Sequence, residues 1–360
     1  MKKLSSALAA ACVLVSGASW AGVIHVANNG VDTGVCGAYA LPCRSISQAI
    51  LNAQVGDTVL VRPGRYGDND GSGFIDRLGE EAGVRIDKKL TVLSTQGAAA
   101  TVIDVGGTSP SVVEILADGV RFGGRNAGFT LSGSQQMGLS TGNVTGVVIT
   151  GNIASGLPFA GFYLPSSGVV EARDNIATHN VIGIYTLTWN PPGYVVVANN
   201  VVQYNGDGIT VGTVYGHRIV GNQVLGNTNV GIGVNYGTSY IAQNQVVGNR
   251  TGASVNGYSN DITLARGPLF TRNNFVGNRN NGVDVFAGPP GILPVLRENN
   301  VFGNGNCGVT HMSAAAQLDA RNNFWGAATG PSFQEPADPA CATSQPVRTT
   351  PFAAAEFDIR

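Results

Sequence analysis

One phrase is repeated three times between residues 195 and 255, and that repeat restricts the chain to very few architectures. It reads VVVANNVVQYNGDGITV (195–211), HRIVGNQVLGNTNVGIGV (217–234) and SYIAQNQVVGNRTGASV (239–255). Each copy is a short apolar run, an Asn, two or three mostly apolar residues, a second Asn five positions after the first, then Gly and another apolar run. The leading asparagines extend as Asn152, Asn175, Asn200, Asn222, Asn244, Asn273, Asn299 and Asn322, and the trailing ones as Asn180, Asn205, Asn227, Asn249, Asn278 and Asn304. A near-constant period of this size marks a solenoid. The apolar runs are rich in Val and Ile and lack the i, i+3, i+4 spacing of a helix, so the unit is built of strands.

Two or three short strands per period, with no room for a crossover helix, form one coil of a parallel β-helix. Coils stack about 4.8 Å apart, and the crossover rule makes the winding right-handed. The expected fold is therefore an all-β, right-handed parallel β-helix with a short N-terminal capping helix. Stacked coils bring identical asparagines above one another, where side-chain amides can pair as a ladder. Asn also tolerates the left-handed backbone that a corner requires. A structural role for these residues comes before any functional one.

The 360 residues are 12% charged, with 51 glycines and a formal net charge of −1. Such a chain offers no basic patch, which argues against nucleic acid as a partner. The N-terminal MKKLSSALAAACVLVSGASWA has two lysines, a short apolar core and a small-residue ending at Ser19-Trp20-Ala21, the pattern of a secretory signal over 1–21. Cys12 within it invites comparison with a lipid-modified cysteine, but Ala9 stands where the usual Leu would be. No later stretch is long and apolar enough for a membrane helix, and the exported chain is expected to act as a monomer in the periplasm or outside the cell. Export leaves Cys36, Cys43, Cys307 and Cys341, an even set for an oxidising compartment; Cys36 with Cys43 and Cys307 with Cys341 are the expected disulfides.

Residues 45–66 depart from the repeat. Ser47 and the spacing of Ile46, Ala49, Ile50 and Ala53 predict a short amphipathic helix, followed by a strand over Thr58–Val61. A helix there would cover the exposed end of the solenoid. The expected organisation is a cap and first coil over 22–66, an acidic insertion over 67–82, coils over 83–330 and a C-terminal cap over 331–360.

The opening IHVANNGVDTGVCGAYALPCRSISQAILNAQVGDTVLVRPGRY, the NxxxxN coils and the closing NNFWGAATGPS together resemble bacterial secreted right-handed β-helix proteins of the pectin-lyase-like superfamily. The resemblance spans about Gly22 to Ser332. It implies the fold specifically and function only broadly, because that superfamily holds lyases, hydrolases, epimerases, tailspikes and proteins without known activity. The Asp-Asp pair of the polygalacturonase-like pattern and the Asp-Pro-His-Asp run of the epimerases are absent from the sequence. A lyase needs a basic residue to take the proton beside a uronate carboxylate, with a cation neutralising the acid.

Three sets of side chains are candidates for function. Arg173, Asp174, His179, Asp207, His217 and Arg218 fall on three adjacent coils and form the catalytic candidate, although their offsets from the asparagines differ. Tyr185, Thr210, Gly233, Ser254, Asp284 and Thr310 each lie two past a glycine and should form one outer row. Small polar residues with an aromatic on a flat face suit a sugar chain, so Tyr185, Thr210, Ser254, Asp284 and Thr310 are the binding candidates. Arg272, Glu298 and Arg321 each precede a leading Asn and should stack as a surface ion-pair column. Separately, GDNDGSGFIDRLGEE (67–81) places Asp68, Asp70, Ser72 and Asp76 at alternating positions of a Ca²⁺-loop-like pattern, which breaks at Gly79 where the last carboxylate belongs. Ca²⁺ is the one cofactor the sequence suggests. The functional expectation is a protein that binds or processes polysaccharide or a cell-surface glycan, as a lyase, hydrolase or epimerase if catalytic; the alternative is a non-catalytic structural or adhesive surface protein.

Overall fold

The computed structural model describes residues 21–67, 83–188, 193–213, 216–235, 237–256, 267–286, 293–312, 317–343 and 346–359. The signal segment and the candidate Ca²⁺ residues Asp68, Asp70, Ser72 and Asp76 lie outside them. Among the described residues the strands pair in parallel across three sheets of 13, 11 and 10 strands, and each coil contributes one strand to each sheet through the repeat region. This is the parallel β-helix expected from the period.

The core consists of stacked rows. In the 13-stranded sheet Val92, Phe122, Ile149, Ala172, Val197, Ile219, Ile241, Phe270 and Leu296 follow one another in register. In the 10-stranded sheet the matching row runs from Leu131 through Ala154, Ala177, Val202, Val224, Val246 and Phe275 to Val301. Every one of these side chains is fully buried. Most are flanked in sequence by more exposed residues, so the period of two in a strand selects which side chains enter the core.

Corners are set by the two asparagine columns. Asn222 Oδ1 accepts from both the backbone N–H and the Nδ2 of Asn200, at 2.9 and 3.0 Å. Asn222 in turn gives its own N–H and Nδ2 to Asn244 Oδ1 and a second amide hydrogen to the Val197 carbonyl. The same pattern repeats from Asn152 to Asn323 in one corner and from Asn180 to Asn304 in the other. Two details differ from the sequence reading. The left-handed residue is not the ladder Asn but its predecessor: Asp174, Asn199, Gln243, Arg272, Glu298 and Asn322 have φ between 53° and 58°. The last leading position is accordingly Asn323, with Asn322 standing in the left-handed place.

The N-terminal end is closed by the helix Ile46–Asn52, whose Ile46, Ala49 and Ile50 are buried and whose N-cap is Ser45, not Ser47. The strand Thr58–Val61 follows it. Both disulfides form: Cys36–Cys43 fastens the cap, and Cys307–Cys341 ties the closing strand Ala340–Ala342 to the last coil. The trailing ladder ends on a carboxylate, Asp338, whose Oδ2 accepts from Asn304 N and Nδ2 at 3.1 and 2.7 Å. Beyond it the tail turns back along the solenoid. Asn300 pairs with the backbone N–H and carbonyl of Phe357, and Gln245 Nε2 donates to the Ile359 carbonyl at 2.7 Å.

Candidate functional site

The 11-stranded sheet aligns the binding candidates. Tyr185, Thr210, Gly233, Ser254, Asp284 and Thr310 are successive register partners, one per coil. Their immediate neighbours, such as Ile184, Ile209, Val283 and Val285, are in the core, so this row points outward. The row also continues toward the N-terminus through Tyr163, Ser140 and Glu114. Tyr163 and Ser140 follow Gly161 and Gly138 at the same offset of two. The glycine rule would have found them, but their coils precede the trailing asparagines that anchored it.

Three aromatic rings meet at the head of this row. Tyr163 and Tyr185 are 5.5 Å apart edge to face, and Phe159 stands 6.0 and 6.1 Å from the two. Such spacings suit favourable ring contacts. All three are only partly buried. Burial, and secondarily the neighbouring Tyr185, holds the Tyr163 hydroxyl above its ordinary pKa, so it is a neutral donor at physiological pH. Tyr185 leans over the next coil, where a Cβ on Gly212 would come within 3.0 Å of its ring. Farther along, Gly233 removes the side chain from the row, and Ser254, Asp284 and Thr310 form a recessed polar stretch with 6%, 8% and 9% exposure.

The catalytic candidates do not assemble. Arg173 and Arg218 lie on strands of the 13-stranded sheet, Asp174 and His179 on different corners, and Asp207 opens a strand of the 11-stranded sheet. Five of the six have a local partner among the described residues. Arg173 pairs with Glu171, His179 bonds Thr178 and lies tilted beside the Tyr204 ring, and Arg218 lies over the Tyr240 ring. Asp207 accepts from Asn229 Nδ2 at 2.7 Å. His217 is buried, with Nδ1 accepting from the Val195 N–H at 2.8 Å, and burial lowers its pKa to about 4. A sequestered imidazole already used by the backbone is a structural group. Their unequal offsets were the available warning.

The ion-pair column is likewise rearranged. Arg272 and Glu298 share the left-handed corner position with Asn322, whereas Arg321 turns to Asp319 at 2.9 Å. Asp319 also meets Arg297, and hydrogen bonding from Arg321 followed by Arg297 holds its carboxyl well below the usual range. The arginine–acid–arginine motif exists, but its acid is Asp319.

Where the long turns near Gly97 and Arg125 meet the short corners at Gly151 and Asp174, the surface steps inward. A groove of about 480 Å³ opens there, beside one of about 380 Å³ lined by Arg121, Thr150, Glu171 and Arg173. Among the described residues, no group of three or more His, Cys, Asp or Glu is placed to hold a metal ion.

Comparison with known proteins agrees with this geometry. Residues 118–287 match the family described as NosD, periplasmic copper-binding protein. Among solved structures, the Dettilon tailspike protein superposes with a TM-score of 0.51 at 14% identity, over 88% of this chain and 67% of that one. The chain has the parallel β-helix fold. A pectate lyase gives a TM-score of 0.42 at 16% identity over 94% of this β-helix and 80% of the enzyme, and a rhamnogalacturonan lyase 0.39 at 11% over 94% and 89%. No curated protein matches the sequence of this β-helix. At these identities the likeness to solved structures is one of fold. Among the described residues, no helix is long and apolar enough to cross a membrane.

Proposed function

We propose that this protein is an exported carbohydrate-binding β-helix that holds a polysaccharide or cell-surface glycan along the outer face of its 11-stranded sheet. The observation that carries the reading is the Phe159–Tyr163–Tyr185 cluster at the head of a straight row of small polar residues. Sugar rings stack on aromatic faces, and their hydroxyls need donors and acceptors in sequence along a flat track. The signal-like segment 1–21, the two disulfides and the periplasmic family description favour export.

Binding without turnover is favoured over catalysis. Hydrolysis of a glycosidic bond uses two carboxyl groups facing each other, and from Ser140 to Thr310 the row holds one, Asp284. The copper in the family description has no fitting donor set among the described residues. Copper takes thiolate, thioether or imidazole ligands, but Cys36, Cys43, Cys307 and Cys341 are in disulfides, and no group of three or more His, Cys, Asp or Glu is placed there to hold a metal ion. Isothermal titration with neutral and uronate-containing oligosaccharides tests the reading, together with assays for reducing ends and unsaturated products. Saturable binding without product supports it. Product release assigns an enzyme instead, and absence of binding across the panel rejects it.

A further inference from the structure

The far end of the same face carries a carboxylate that the fold does not neutralise. Asp284 is 8% exposed and has no cationic partner among the described residues. Its Oδ1 accepts from Asn281 Nδ2 at 2.7 Å, while Oδ2 has Thr251 Oγ1 at 3.5 Å, the limit of a hydrogen bond. Asn281 is itself fixed, because its Oδ1 accepts from the Cys307 N–H beside the Cys307–Cys341 disulfide. The carboxyl is thus held in place from behind by a two-step relay. A carboxylate has about four acceptor sites, and burial without a cation or a full set of donors is costly. Natural folds keep such a group where it meets donors from elsewhere.

We infer that Ser254 and Asp284 form a terminal subsite that binds adjacent hydroxyls of a neutral sugar ring, with Asp284 as its specificity-determining acceptor. This rests on the carbohydrate reading above. The subsite lies three to four coils beyond Tyr185, at about 4.8 Å per coil, so a ligand must be several sugars long to touch both. Short ligands engage the aromatic head alone. Two hydroxyls donated to one carboxylate discriminate among sugar epimers, since an epimer turns one donor away and leaves a buried acceptor unmatched. Burial raises the Asp284 pKa against the opposing hydrogen bonds of Asn281, Thr310 and Thr251, and a proton on the carboxyl would convert the acceptor into a partial donor. Thr251, Ser254, Asn281 and Thr310 carry no charge. Arg250 and Arg279 are exposed turn residues, and His311 lies in the interior row of Val285.

The test is calorimetric titration of the full chain with cellohexaose, mannohexaose and chitohexaose, and with the matching trisaccharides, at pH 7.5 and pH 5. Asp284→Asn preserves shape and the Asn281 contact, and Tyr185→Ala removes the aromatic head. The expected result is a loss of about tenfold or more in hexasaccharide affinity in Asp284→Asn, with trisaccharide affinity unchanged and the pH dependence of the wild type abolished. Tyr185→Ala should weaken both lengths. Hexasaccharide affinity within twofold of wild type in Asp284→Asn, with Tyr185→Ala still defective, overturns the subsite and leaves the face reading intact. Binding unaffected by either variant, or absent in the wild type, overturns both.

Discussion

Two columns of this solenoid contain one residue per coil and behave oppositely. The corner column through Asn222 holds Asn eight times in succession, from Asn152 to Asn323; the outer column through Thr210 reads Tyr, Tyr, Thr, Gly, Ser, Asp, Thr over a similar span. In the corner each side chain's partner is its own counterpart above and below, so a change in one coil is felt in three. On the outer face each side chain can answer to something outside the chain. Repetition therefore marks where the protein recognises itself, and irregularity within a strict register marks where it can recognise something else.

The largest effect that would test this contrast comes from Asn222→Leu. It strips the acceptor from the Asn200 N–H and Nδ2 and the donor from the Val197 carbonyl, at about 3 kcal/mol, the upper end of the cost of buried unmatched groups. Asn235→Leu, whose Oδ1 accepts one 3.3 Å bond from Asn256, should cost less than about 1 kcal/mol. Equal losses in denaturant titration would refute the ladder account.

A corner residue that is not Asn gives the next test. The folded His217 pKa is lowered to about 4 from 6.5, so the unfolded chain takes the proton first. Its contribution is fully present above pH 6.5 and is lost as pH falls from there toward 4, reaching about 2 kcal/mol by pH 5. In His217→Gln the difference in stability between pH 7 and pH 5 should shrink by that amount. An unchanged difference would show that the imidazole is not held neutral.

On the outer column, Tyr185→Ala should lower oligosaccharide affinity about tenfold while the melting temperature moves little, because Tyr185 packs chiefly on Phe159 and Tyr163. The reverse pattern would make the cluster structural and remove the contrast. The smallest effect is expected at Asp338→Asn. The leading ladder already ends on an amide, Asn323, so the trailing one should accept the change for less than about 1 kcal/mol. Burial raises the Asp338 pKa, so wild-type stability should recover slightly as pH falls through that value, and the variant should lack this response.

The sequence made the corners readable because a ladder demands identity at a fixed period, and it made the outer row readable because Gly fixes the strand's entry. Reading failed where register could not be counted. In Asn322-Asn323 two equivalent letters compete, and only the left-handed backbone at Asn322, shared with Asn199 before Asn200, decides between them. Asp338 reaches the end of the trailing ladder after 34 residues without repeat, so no spacing foretold it. His217 looked reactive because a histidine's letter does not state whether its ring is buried. The recessed Asp284 was placed correctly in its row, but its lack of a cationic partner among the described residues depends on neighbours that lie far away in the chain.

The ladder has no natural last member. Along the trailing column every Asn lends an oxygen to the coil before it and passes its N–H and one amide hydrogen to the coil after it, so the demand for an acceptor is handed along the molecule like a debt that never shrinks. Asp338 closes the sequence because a carboxylate takes hydrogens and forwards none. Since the handover is identical at every step, whole coils can be added or removed in the middle without altering either end. The length of such a protein, and with it the length of any chain laid along its side, is therefore adjustable in units of one turn while its two closures stay the same.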